Sequence, residues 1–533
     1  MKKLIKSKLM IIAMAIIVFA AVLTGCTTNN EGGASPSKGQ EANPLNEEKE
    51  IVLAAARDLS PGETDAYYTS SILYVWEPLI GLGDDGAPIP QLAEKWTNTE
   101  DYKEWTFKIK EGVKFHDGVD LNADAVIKNF ERYTNMKTKG SPFYSFNVEK
   151  TYPNLKSFEK VSDYEIKLTF SEPISTLIFN MARFGSAIYS PDCFDVNTGD
   201  FTTFAQGTGP FKIVEREKDQ YVLLERNENY YGEKSKVKNV RVKVIPDSQT
   251  RYTALKSEEI MGVMDLGAIT PELAAELLKD DQFATSTSKS TITQFMAVNG
   301  TKAPFNNEKV KEALSLLIDR DTIVNEFYGG HGTPTINILN QASPFAKEIK
   351  PVYDPEKAKK IINEELNGET MELDFIIPSY GVDRYPYKTV AEYIQAVLSE
   401  VGLTANITIL DGAAFKEAQK NGDYHIALHT QGLPNAEPFT IFSGYMSSQG
   451  SSNIAYSLGY VNERADELIE KLKDTMDLEE RGKIYDELQD ISAAHPSDIP
   501  LFEDVNLIAY NKKISGYEAT IYGTTLANME WSN

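Results

Sequence analysis

Cysteine is nearly absent from this chain: Cys26 and Cys193 are its two in 533 residues. That excludes a disulfide framework, so the folded part must hold together by burial alone. Cys193 sits in the acidic run Ser190-Pro191-Asp192-Cys193-Phe194-Asp195, which disfavours a thiolate and so a nucleophile; a packed cysteine is expected. Histidine is also scarce, with five residues, and only His425 and His429 lie close together. Borderline metals favour imidazole nitrogen, so a preformed all-protein metal cluster is not expected. Positive charge is in deficit: 54 Lys and Arg stand against 78 Asp and Glu, a formal net charge of −24. Such a surface repels phosphate backbones and anionic lipid, which excludes nucleic acid as a partner. Neither a Gly-x-Ser-x-Gly elbow nor a His-Glu-x-x-His motif occurs, which argues against a secreted hydrolase. No catalytic residue or catalytic cofactor is expected, and the chain does not read as an enzyme.

One long apolar run is present, from Leu9 to Leu23, after the basic Lys2, Lys3, Lys6 and Lys8. At about 15 residues it is shorter than the ~20 of a spanning helix and reads as a secretory leader, residues 1–25. Leu23-Thr24-Gly25-Cys26 resembles a lipobox, which implies that Cys26 carries a lipid and begins the mature chain. Membrane attachment is then expected only through that lipid. Residues 26–49 are rich in Asn, Gly, Ser, Pro, Glu and Lys and read as a flexible tether. The folded part starts near Ile51.

Strand and helix patterns then mix without a fixed repeat. Trp105–Lys110, Glu165–Phe170 and, more weakly, Tyr221–Glu225 alternate as strands. Asn122 is placed to cap a helix running to Tyr133, with Ala125, Val126 and Phe130 at helical spacing. Thr389–Val401 is amphipathic, with Val390, Tyr393, Ile394, Val397 and Leu398 on one face, and leads into the alternating strand Leu403–Ile409. Two charged helices follow between Glu463 and Ala493. The expectation is a mixed α/β protein of at least two lobes.

Ordered landmarks sharpen this. Leu92-Ala-Glu-Lys-Trp96, Trp105-Thr-Phe-Lys-Ile-Lys-Glu-Gly-Val-Lys-Phe-His-Asp-Gly118 and Asn122-Ala-Asp-Ala-Val126 closely resemble the signature of family 5 extracellular solute-binding proteins. The likeness continues through Gly207-Thr-Gly-Pro-Phe-Lys212, Arg226–Lys234, Val244–Arg251, Val310–Leu314 and Tyr353–Ala358. These are the dipeptide, oligopeptide and nickel receptors of ABC importers. The landmarks themselves look structural: Trp96 and Trp105 suit a core, and His116 suits a turn or packing role.

The resemblance implies the α/β two-lobe fold of periplasmic binding proteins, class II, with an extra subdomain in lobe one and a hinge crossed twice. Lobe one is expected over 50–285 plus 500–533 and lobe two over 286–499, with ligand trapped between them. Delivery would be to an ABC permease of the nickel/dipeptide type. Peptide receptors of the family carry an Asp in a Trp-x-x-Asp-Tyr-x-Asp-Pro-like segment; here it reads His429-Thr-Gln-Gly-Leu-Pro-Asn-Ala-Glu-Pro438. Gln431 stands at the Trp position and Asn435 near the missing Asp, unless Glu437 has taken that role. The Gly-Leu-Pro core is closer to the nickel receptors, which clamp a chelator's carboxylates with an Arg. Arg183, in Asn180-Met-Ala-Arg-Phe184, matches that position, and its fork suits a carboxylate. The implied ligand is a nickel (transition-metal) chelate; the alternative is a di- or oligopeptide.

Residues near expected strand ends complete the candidates: Arg57, Tyr67 and Tyr68 in the first lobe, and Tyr380, Arg384 and Tyr385 after the strand Met371–Pro378. His425 and His429 share a strand face ~13 Å apart, too far for one ion. His429, beside the Gly-Leu-Pro loop, is the one histidine placed to touch metal; His425 is expected to pack. The address implied is the outer face of a Gram-positive cytoplasmic membrane.

Overall fold

Strand alternation and two long crossovers organise the molecule. The computed structural model describes residues 49–59, 70–83, 85–135, 148–182, 187–264, 267–433, 436–521 and 523–532. Cys26 and the leader and tether readings therefore lie outside the described residues. No helix among the described residues is long and apolar enough to cross a membrane.

An eleven-stranded sheet runs through the structure in two halves. The first half orders Phe211–Glu217, Tyr221–Arg226, Asn239–Val244, Ile51–Ala55 and Gly262–Met264. The second orders Ile426–Gly432, Met371–Pro378 and Leu403–Leu410. Two long antiparallel strands, Phe283–Val298 and Ile499–Asn511, join them, paired from Phe283↔Asn511 to Met296↔Ile499. Their register shifts between Lys289 and Thr293, where the pairing leaves one half and enters the other. A separate four-stranded sheet holds Glu104–Ile109 and Glu165–Phe170 and packs against the helix Ala123–Asn135. This is the mixed α/β, two-lobe architecture expected, with the small sheet as the additional unit.

Local chemistry explains these elements. The Asn122 side chain accepts from the Ala125 amide at 3.0 Å, the capping bond expected of it. The alternating strand Glu165–Phe170 buries Ile166, Leu168 and Phe170. Trp105 is buried, whereas Trp96 is half-buried on the neighbouring strand. The helix Tyr387–Ser399 begins directly after Pro386, two residues before the predicted Thr389. Its face of Val390, Ile394 and Leu398 packs on Leu373, Phe375, Ile426 and Leu428. Alternation sends Ala427 to the opposite face, against Phe295, Ile376 and Phe442, and His429 follows it by period two. Sheet geometry therefore decides which half-core His429 enters.

Candidate functional site

His429 and Asp498 come together across a strand. Phe295 pairs with His429 on one side and with Pro500 on the other. Asp498 immediately precedes the second long strand, so its carboxylate reaches over the Phe295 position toward the imidazole. His429 Nε2 lies 2.7 Å from Asp498 Oδ2, with the two side chains 4% and 0% exposed. The imidazole stacks on Phe295 at 5.6 Å and meets the Tyr456 ring at 5.2 Å; Tyr445 lies 6.0 Å beyond Tyr456. Tyr424 donates its hydroxyl to the Tyr456 carbonyl. Three buried acceptors here, Asp498 Oδ1, Ser497 Oγ and Gln431 Oε1, have no hydrogen-bond partner among the described residues. Gln431 lies two residues along the same strand face as His429.

Tyr380 extends this group toward solvent. It is 44% exposed in the short helix Ser379–Arg384 that follows the strand Met371–Pro378. Partial burial, with a smaller contribution from the nearby Tyr456 phenol, pushes its pKa up. Tyr385 stacks on Tyr387 at 5.4 Å and lines a small pocket with Tyr328, His331 and Asp504. Arg57 is half-buried just past the strand Ile51–Ala55, and its neighbour Asp58 is bridged to Arg216 at 2.8 Å. Arg183, Tyr67, Tyr68 and Asn435 lie outside the described residues, as does the side chain of Arg384.

Other polar candidates have structural employment. Glu437 accepts from Arg481 Nη2 at 2.6 Å and from the Tyr485 hydroxyl, with both partners of the ion pair buried. His116 uses both nitrogens on backbone: Nε2 meets the Gly209 carbonyl at 2.9 Å, and Nδ1 accepts from the Gly207 amide at 3.3 Å. Burial pushes its pKa down to about 4, so it stays neutral, the packing role expected. Gly209 itself is required, since a Cβ there would stand 2.3 Å from the Tyr74 carbonyl oxygen. Cys193 is fully buried, and burial pushes its thiol up to about 12. His425 accepts the Asp374 amide on Nδ1 at 3.0 Å.

Two groupings were not legible in the sequence. Asp498, Tyr445 and Tyr456 complete the His429 neighbourhood; the available signal was an acid abutting the apolar run Ile499-Pro-Leu-Phe502. Glu308, Glu312 and His495 also cluster, with donor atoms within 4.8 Å of one another. They lie on the partly exposed face of one helix and the end of another, where His495 Nδ1 meets Glu312 at 2.5 Å.

A sheet in two halves, crossed twice by long strands, with an aromatic-lined polar group near the second half's strand ends, defines a two-lobe solute-binding receptor. The model of bacterial extracellular solute-binding proteins, family 5, matches residues 87–453. The chain belongs to that family, and it is a substrate-binding protein of an ABC importer. Heme-binding protein A of Haemophilus influenzae is 29% identical over 482 residues, 86% of each chain. NikA from Brucella suis, solved with Fe(III)-EDTA, shares the fold at a TM-score of 0.75 and 21% identity, covering 89% of this chain and 98% of that one. DppA from Helicobacter pylori, solved with the peptide STSA, does so at 0.68 and 24%, covering 91% and 99%.

Proposed function

We propose that this receptor captures a nickel, or similar transition-metal, chelate between its lobes and passes it to a permease of the nickel/dipeptide type. The observation that carries this reading is the fate of Glu437. A peptide's ammonium needs an anion in the closed cleft, and leaving it unpaired there is expensive. In the segment His429–Pro438, Glu437 is the one carboxylate, and it is engaged by Arg481. What that segment offers instead is His429, an imidazole suited to a borderline metal, with Gln431 beside it. The similarity to NikA, solved with a metal chelate, is consistent with this ligand class. A di- or oligopeptide is the competing ligand and requires an acid from elsewhere.

On this reading lobe one comprises 50–285 plus 500–533 and lobe two 286–499, which puts the crossovers in the two long strands. Arg183, Arg57, Tyr67 and Tyr68 contact ligand from lobe one; Tyr380, Arg384, Tyr385, His429, Gln431 and Asn435 do so from lobe two. Arg183 clamps a chelator carboxylate with two parallel charge-assisted bonds. A lipid on Cys26 holds the receptor at the outer face of the cytoplasmic membrane, and the tether to residue 49 gives it reach. No catalytic step is involved.

Calorimetric titration with the nickel(II)–histidine complex tests the clamp. Arg183→Ala should cost about 2–5 kcal/mol of affinity relative to wild type. Unchanged affinity would move the carboxylate site to another residue.

A further inference from the structure

We propose that Asp498 is a positioning residue for ligand capture: it holds His429 with Nε2 protonated and leaves Nδ1 as the nitrogen offered to the metal of a bound chelate. This rests on the reading above that His429 touches ligand. With the Asp498 carboxylate as the acceptor, the 2.7 Å contact places a proton on Nε2. Nδ1 has no hydrogen-bond partner among the described residues. The ring cannot easily exchange the two nitrogens, because Phe295 lies under it and Tyr456 beside it.

Asp498 is committed to this one task. It is fully buried, and no Lys or Arg bridges to it among the described residues. Its other oxygen, Oδ1, has no donor among the described residues. Burial, and to a smaller extent the Asp498 carboxylate, pushes up the pKa of the phenols Tyr424, Tyr445 and Tyr456. His429 is the one basic side chain that meets Asp498 among the described residues. A carboxylate behind an imidazole fixes its tautomer and raises the donor strength of the opposite nitrogen, the arrangement that supports metal-binding histidines.

The test pairs nitrogen-15 NMR of histidine-labelled protein with calorimetry against the nickel(II)–histidine complex, using wild type, Asp498→Asn, His429→Gln and the double variant. The Asp498→Asn substitution keeps the shape and removes the charge. The expected result is protonated Nε2 in wild type, loss of that fixed state in Asp498→Asn, and a 10- to 100-fold loss of affinity. The double variant should bind no worse than His429→Gln alone. If Asp498→Asn lowers only the melting temperature while His429→Gln weakens binding, positioning is overturned and the ligand contact stands. If His429→Gln binds as wild type does, or wild type does not bind the complex, the underlying reading fails. Should Asp498→Asn not fold, wild type still decides: a bare Nε2 with protonated Nδ1 overturns the proposal.

Discussion

His116 and His429 are both withdrawn from solvent, yet their surroundings assign them opposite capacities. His116 lies in the family landmark of the first half and spends both nitrogens on backbone, on the Gly209 carbonyl and the Gly207 amide. Nothing remains to bind with, and burial keeps the ring neutral. His429 lies in a segment that departs from the family's peptide-receptor pattern. It spends one nitrogen on a buried carboxylate and keeps the other uncommitted among the described residues. The comparison teaches that a motif match locates the scaffold. Spare bonding capacity locates the chemistry.

Three measurements would break or sharpen that contrast. The largest effect should come from Arg481→Ala, which strands the buried Glu437. Losing one member of a buried ion pair costs about 3–5 kcal/mol, readable by denaturant unfolding. A loss below about 1 kcal/mol would mean that this core tolerates uncompensated charge, and would weaken the weight placed on Asp498.

The next effect separates the histidines directly. Because the folded protein holds His116 at about 4 against 6.5 when unfolded, the unfolded chain binds more protons between those values. Stability is therefore complete above pH 6.5 and falls as pH drops toward 4, by up to about 3 kcal/mol. His116→Ala should flatten that slope, cost about 1–3 kcal/mol at neutral pH by orphaning two backbone groups, and leave ligand affinity unchanged. Weakened affinity would break the comparison.

The smallest effect concerns Glu503 on the crossover strand, 6% exposed, where burial pushes its pKa up to about 7. Here the folded state binds the extra proton. Its contribution is full below the unfolded value of 4.5 and is lost as pH rises through 7, opposite in sign to His116. Glu503→Gln should keep the bond accepted from the Gln341 amide and gain about 1–3 kcal/mol at pH 8. No gain at pH 8 would show that water or a cation already satisfies the carboxylate.

Local pattern made much of the scaffold legible. The strands Glu165–Phe170 and Met371–Pro378 and the face Val390, Ile394 and Leu398 follow from period two and period 3.6, properties of consecutive residues. Asn122 declared its cap, and His116 its packing role. The site was less legible for a physical reason. Asp498 reaches His429 across 69 residues of sequence through the register of three strands, which no local pattern encodes. Tyr456 arrives from a short helix end whose own sequence gives no reason to face an imidazole. Glu437 illustrates the converse: its charge was visible, but its commitment to Arg481 depends on a helix 44 residues on.

On the proposed function the receptor takes a metal chelate and not a peptide. Thermal unfolding of the purified receptor with nickel(II) plus histidine, set against a di- and oligopeptide mixture, tests it most directly. A ligand bound by the folded state raises the melting temperature, with about 2.7 kcal/mol of stabilisation at a hundredfold excess over Kd. The account predicts a shift with the nickel complex and none with peptides. A shift with peptides and none with any nickel chelate would contradict it.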